Sequence, residues 1–321
     1  MKKSKILSSL IALTIAVSLV GCGSSANSTN NATKDAPKTE ETTKAPEKTD
    51  VVAEVANGYF ANMPDDNYKI SEKTFVEQVK AEEDMFILDI RQADVYAEGH
   101  IKGAVNAPWG TAISDNLDKL PKDKTIMVYC YTGQTAGQTV ALLNMAGFNA
   151  RSVNLGWNLG ISKVDGVEDV TETTLNDFAD VESIEIKPEI KTAIVDYFNG
   201  LATVKDTDFA NYKISEENAK KLIDAKDDSI VVLSVRSAED FAKGHIDGAT
   251  NIAWGKGMQE NFSTLPTDKK IIVYCYTGQT AGQTVAGLKM LGYDAVSLNG
   301  GMGTDSNAPS GWANNEFPVV K

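Results

Sequence analysis

The string VYCYTGQTAGQTVA stands at Val128–Ala141 and, letter for letter, at Val273–Ala286, 145 residues later. A chain that repeats itself at this spacing is built as two copies of one unit, and 321 residues suffice for two ordinary domains. Each copy places one cysteine, Cys130 or Cys275, between a β-rich run and a helix of small residues. The same thiol at the same place in both units puts the expected chemistry there.

The repeat extends beyond the string. The first unit spans 51–164 and the second 187–321. Val55 to Ala61 has a counterpart in Val195 to Ala202, and Asn67-Tyr68-Lys69-Ile70-Ser71 recurs at Asn211 to Ser215. Ser71 is a natural N-cap for a helix with Phe75, Val76 and Val79 on one face; Ser215 does the same for Ala219, Leu222 and Ile223. Short apolar runs (Phe86 to Leu88, Ile126 to Tyr129 and Ala150 to Val153, with their copies at Ile230 to Leu233, Ile271 to Tyr274 and Ala295 to Leu298) read as buried strands. Helices are expected over Ala136 to Met145 and Ala281 to Leu291, stopped by Gly147 and Gly292. Strands alternating with helices predict an α/β fold, two tandem domains each with a parallel sheet flanked by helices. Such sheets bind ligands beyond the carboxyl ends of their strands, where both cysteines stand. The acidic stretch 165–186 is expected to link the two units across a surface.

Charge and cysteine usage bound the partners. The net charge is −13, and removing residues 1–21 takes away three lysines and no acid. So acidic a chain repels nucleic acid and anionic lipid. Lys2, Lys3 and Lys5 precede an apolar run, Ile6 to Val20, too short to span a bilayer comfortably. Leu19-Val20-Gly21-Cys22 then resembles a bacterial lipobox. That resemblance implies a signal peptide over 1–21, lipidation of Cys22, and an extracytoplasmic protein anchored to the cell membrane by lipid alone. Residues 22–50 are rich in Ser, Asn, Thr, Lys and Glu and read as a flexible tether. Only Cys130 and Cys275 then belong to the folded units. With one cysteine per unit, no intradomain disulfide can form, so these thiols are expected to serve reactivity.

In Cys130-Tyr131-Thr132-Gly133-Gln134-Thr135 the chain leaves a strand, curls and enters a helix. Backbone N–H groups in such a curl converge into an anion-binding nest, and the helix N-terminus adds about half a positive charge. Both favour the thiolate form of the cysteine. Gly133 and Gly278 suit backbone positions that need freedom or close approach. Retention of the loop in both copies, among diverged surroundings, argues against a merely structural cysteine.

These residues, taken in order, resemble tandem rhodanese-domain proteins. The features are Asp89-Ile90-Arg91, Gly99-His100-Ile101-Lys102-Gly103-Ala104, the six-residue Cys130 loop and Leu155-Gly156-Trp157. In the second unit they are Val235-Arg236, Gly244 to Ala249, the Cys275 loop and Asn299-Gly300-Gly301. The resemblance implies a sulfurtransferase with no cofactor and no metal. Cys130 and Cys275 are its expected catalytic residues. Tyr131, Thr132, Gly133, Gln134 and Thr135, with Tyr276, Thr277, Gly278, Gln279 and Thr280, form the expected substrate-binding loops. A loop thiolate takes sulfane sulfur from thiosulfate, a polysulfide or a persulfide, and the resulting cysteine persulfide gives it to a thiol or to cyanide. His100 and His245, the only histidines, lie in the turn motif and are expected to be structural.

Departures from the family pattern are specific. Loop positions two and six, often basic, are Tyr131 and Thr135 or Tyr276 and Thr280, so the pocket is expected to lack a local cation. The first unit keeps Asp89 but has Val95 before the glycine turn; the second has Ser234 and Asp240 at those places. Arg91 and Arg236 are expected to pair with whichever acid remains. A cysteine-dependent phosphatase would need an arginine where Ala136 and Ala281 stand, because a transferring phosphoryl group needs its charge offset. Two other readings compete: a non-catalytic sulfur carrier that delivers persulfide to a partner protein, and a redox pair if the two loops face each other.

Overall fold

The computed structural model describes residues 50–321. The signal segment, Cys22 and all of the tether but Asp50 lie outside the described residues. Asp50 begins helix α1 (Asp50–Ala61).

Each repeat builds a five-stranded sheet, and every pairing within it is parallel. In the first repeat β1 (Lys69–Ile70), β2 (Met85–Asp89), β4 (Val105–Asn106), β5 (Thr125–Tyr129) and β6 (Ala150–Val153) lie in the order β1-β6-β5-β2-β4. In the second, β8 (Lys213–Ile214), β9 (Ile230–Ser234), β10 (Ala249–Asn251), β11 (Lys270–Tyr274) and β12 (Ala295–Leu298) repeat that order. The central strands are apolar on both faces because helices cover both; Ile126, Val128 and Tyr129 are fully buried, as are Ile271, Val273 and Tyr274. This is the α/β architecture that the alternation predicts. The two-residue edge strands escaped sequence reading, since two residues cannot display a period.

Local chemistry sets the helices. Ser71 and Ser215 cap α2 (Glu72–Lys80) and α7 (Glu216–Asp224), each side chain accepting the backbone N–H three residues on. Gly147 ends α5 (Gln134–Ala146) in the left-handed conformation, φ 106°. Nearly every residue of α5 and α9 (Gln279–Met290) is buried, the glutamines included, so both helices need cover on all sides. Each packs on its own sheet, and the two pack on each other.

That contact joins the repeats, which fall within one compact unit. The first turns of α5 and α9 approach so closely that a Cβ on Gly137 would lie 2.4 Å from the Gln279 carbonyl oxygen. A Cβ on Gly282 would lie 2.3 Å from that of Gln134. The polar groups buried there are paired reciprocally. Gln134 donates to Ser297 Oγ (2.7 Å) and the Leu298 carbonyl, while Gln279 donates to Ser152 Oγ (2.7 Å). The Tyr197 hydroxyl donates to Gln138 Oε1 (2.5 Å), and the Tyr59 hydroxyl donates to Gln283. Helices α1 and α6 (Pro188–Val204), which carry these tyrosines, both reach across the repeat boundary. Phe60 packs edge-on against Trp254 and Phe262, and Phe198 against Trp109.

The acidic stretch 165–186 is docked along the first repeat. Within it β7 (Thr171–Glu172) pairs antiparallel with β3 (His100–Ile101), and Val170 and Ile186 are buried. Asn176 donates to the Ala104 carbonyl at 3.0 Å.

Candidate functional site

Strands β5 and β11 end at Cys130 and Cys275, at the carboxyl edge of each sheet. Each Sγ accepts a hydrogen bond from a loop backbone N–H: Gly133 to Cys130 and Gly278 to Cys275, both at 3.1 Å. The donors come from residues with φ of 87° and 94°, which glycine adopts without strain. The glycine after the last strand fixes the loop from behind. A Cβ on Gly156 would sit 2.5 Å from the Cys130 carbonyl oxygen, and one on Gly301 2.6 Å from that of Cys275. The Trp157 and Met302 N–H groups bond to those same carbonyls at 2.8 Å. With that carbonyl pinned, one loop N–H in each repeat, that of Gly133 or Gly278, is aimed at sulfur.

The remaining loop residues divide between the two tasks. Helices α5 and α9 start at Gln134 and Gln279, two residues earlier than the apolar pattern indicates, so loop positions five and six belong to the first helical turn. The Gln134 and Gln279 side chains point across the repeat boundary. The Tyr131 hydroxyl accepts the Gln92 N–H at the start of α3 (Ala93–Glu98). Tyr276 donates to Asp240 Oδ2 at 2.6 Å, at the start of α8 (Ala238–Lys243). Hydrogen bonds from Tyr276, Lys243 and Ser237 hold the Asp240 carboxyl down at about 2. Thr277 and Thr280 line the cavity over Cys275 described below, while Thr132 and Thr135 are half-buried.

This geometry corrects one inference about the repeated string. From Gln134 and Gln279 onward it forms the α5–α9 contact, where each side meets its own counterpart. Packing therefore accounts for the identity of that part. Val128–Tyr129 and Val273–Tyr274 are fully buried strand residues, so only Cys130–Gly133 and Cys275–Gly278 remain to be explained by chemistry at sulfur.

The arginines behave differently in the two repeats. Arg91 is buried against Asp89, with Nη2 to Oδ2 at 2.6 Å and Nε to both carboxylate oxygens, and its guanidinium lies 4.2 Å from the Trp157 ring centroid. Arg236 does not pair with Asp240, contrary to expectation. Asp240 is engaged by Tyr276, Ser237 and Lys243, while Arg236 donates to the Gly244 carbonyl and its Nε is buried without a partner. Ser234 is too short to replace the carboxylate that Asp89 supplies. The histidines are held by backbone: His100 bonds to the Tyr96 and Thr174 carbonyls, and His245 bonds to that of Phe241. Cys130 and Cys275 are free thiols, each 2% exposed.

Over Cys275 lies a cavity of about 360 Å³ whose walls come from both repeats. The second repeat contributes Cys275, Tyr276, Thr277 and Thr280. The first contributes Lys69 and Glu72, among others. The volume lies in the range of small-molecule sites. Sequence reading by unit misses Lys69, because it belongs to the other copy.

Comparison with known proteins supplies a family. The model of the rhodanese-like domain matches twice, at residues 72–162 and 215–304. MoeZ of Mycobacterium tuberculosis, an adenylyltransferase/sulfurtransferase by name, is 31% identical over 115 residues, covering 35% of this chain and 29% of MoeZ. YtwF of Bacillus subtilis, a sulfurtransferase by name, is 30% identical over 88 residues, covering 27% of this chain and 84% of YtwF. The thiosulfate sulfurtransferase structure from Pseudomonas aeruginosa is 17% identical with a TM-score of 0.30, covering 77% of this chain and 46% of that one.

Proposed function

The chain belongs to the rhodanese-like family, carrying the domain twice, and from that premise we propose that it is a sulfurtransferase with two working sites, Cys130 and Cys275. The observation that carries this reading is the N–H to Sγ hydrogen bond at 3.1 Å in both loops. A donor aimed at sulfur stabilises the negative charge of a thiolate, and afterwards that of a persulfide, without a general base. Neither histidine is placed to act as one; His100 and His245 are bonded to backbone carbonyls outside the loops.

In the proposed reaction the thiolate attacks the outer sulfur of the donor. The cysteine–sulfur bond forms as the donor's own sulfur–sulfur bond breaks, and with thiosulfate the electron pair leaves on sulfite. The enzyme then holds a cysteine persulfide anion. A thiolate or cyanide attacks the terminal sulfur and departs as persulfide or thiocyanate, regenerating the cysteine thiolate. Charge and electrons balance in both halves, and no external oxidant is needed.

Cys130→Ser and Cys275→Ser test this in a turnover assay with thiosulfate or polysulfide as donor and cyanide or a dithiol as acceptor. Each single variant is expected to lose the contribution of one site and the double variant to lose all turnover. Unchanged rates in the double variant would sink the proposal. Stoichiometric sulfur loading without turnover would support the carrier reading instead. The N-terminal segment supports an extracytoplasmic, lipid-anchored location, with acylation at Cys22. On that reading, Cys22→Ala moves the protein from the membrane fraction to the soluble fraction.

A further inference from the structure

Each loop lacks a cation of its own, and rhodanese-type chemistry on an anionic donor calls for one. The cavity over Cys275 holds Lys69, which belongs to β1 of the first repeat. Its counterpart Lys213 opens β8 of the second repeat. Both lysines are half-buried, and neither forms a salt bridge with a carboxylate among the described residues. We propose, resting on the sulfurtransferase reading, that the two repeats exchange cations. Lys69 serves the Cys275 site and Lys213 serves the Cys130 site, each positioning an anionic sulfur donor in the opposite repeat.

Several observations converge on this crossing. The cavity wall is shared between repeats, so Lys69 and Cys275 face one space. The register of β1 on β6, Lys69 beside Ser152, is matched by β8 on β12, Lys213 beside Ser297. Ser152 and Ser297 are the residues that receive Gln279 and Gln134 from across the boundary. The lysine strand and the opposite helix start are therefore tied to the same residue in both halves. The electrostatics follow the same crossing. Burial lowers the proton affinity of Lys69 and of Lys213, and the charge opposing that effect comes from Cys275 for Lys69 and, first, from Cys130 for Lys213. Glu216 acts second on Lys213, and its carboxylate already accepts the Gly311 N–H at 2.7 Å. Glu72 also lines the Cys275 cavity and opposes an anion there.

An ammonium at a half-buried site favours an anion over a neutral molecule of the same shape. This gives a test that does not depend on turnover. Full-length protein is alkylated with iodoacetate, an anion, or with neutral iodoacetamide, and the rates at Cys130 and Cys275 are followed by peptide mass spectrometry. The rate ratio removes the thiolate fraction, which is common to both reagents. Lys69→Met is expected to lower the iodoacetate-to-iodoacetamide ratio at Cys275 by about tenfold, the scale of one charge-assisted contact, and to leave that at Cys130 in place. Lys213→Met is expected to do the reverse. Lys69→Arg should restore the Cys275 ratio, and Glu72→Gln should raise it. Lys69→Gln, which keeps a polar head in the wall, is measured beside the methionine variant, with the iodoacetamide rate reporting access to the buried thiol. A ratio that stays constant in both lysine variants overturns the proposal, as does one that changes at the cysteine of the same repeat. If the ratios cross as expected while no sulfur is transferred, the cation exchange stands and the sulfurtransferase reading falls.

Discussion

At the scale of single residues, the two repeats show how one missing carboxylate changes a buried arginine. Arg91 is neutralised by Asp89 and covered by Trp157, whereas Arg236 has Ser234 in place of the acid and an unpartnered Nε. Removing one member of a buried ion pair leaves the other charge uncompensated. Asp89→Ala is therefore expected to destabilise the protein by about 3–5 kcal/mol, and Ser234→Ala by about 1 kcal/mol or less, in denaturant titrations. Asp240 gives a pH prediction. Its carboxyl is held at about 2 by Tyr276, Lys243 and Ser237, below the ~3.9 of an unfolded aspartate. A group with a depressed folded value binds fewer protons when folded. Its contribution is present above about pH 4 and is lost as the pH falls toward about 2. Asp240→Asn should thus be less stable than the parent at neutral pH, and the gap should close on acidification. A gap that persists at the acid end contradicts the assignment.

At the scale of elements, α5 and α9 decide how the molecule is assembled. Alanine in place of a helical glycine ordinarily gains about 1 kcal/mol in helix propensity. At Gly137 the added Cβ would meet a carbonyl oxygen at 2.4 Å, and overpacking of this kind costs about 1–3 kcal/mol or more. The steric effect is the larger, so Gly137→Ala and Gly282→Ala should each lower the unfolding midpoint. A rise in either would show that the helices are not in contact there. These helices also mark where sequence reading ends. The buried strands β2, β5, β9 and β11, the serine caps and the glycine stop at Gly147 follow from residue chemistry within a few positions, and all were legible. So was the cysteine loop, because a strand, a glycine and a helix start lie together in the string. The glutamines were legible only as loop residues. Their true setting depends on Ser152 and Ser297, which lie far away in sequence and in the other repeat. Lys69 was hidden for the same reason, since no local pattern connects it to Cys275.

At the scale of the whole molecule, the two repeats are halves of one folded unit. Helices α1 and α6 pack across the boundary, the α5–α9 seam holds buried polar pairs, and the cavity over Cys275 needs walls from both copies. Residues 51–164 and 187–321 produced as separate chains are therefore expected to copurify when coexpressed and to aggregate when made alone, because each alone uncovers a helix that is buried almost throughout in the whole protein. Two soluble, non-associating halves would contradict this assembly. Within it, each sulfur sits at a strand end and receives an N–H from its own glycine, and Cys275 shares its cavity with Lys69 of the opposite repeat. The most direct measurement is to incubate the reduced full-length protein with thiosulfate or polysulfide, then map the adducts by peptide mass spectrometry without a reducing agent. The account predicts the added mass of one sulfur atom on the peptides of both Cys130 and Cys275, removed by cyanide. Finding that mass on neither cysteine would contradict it.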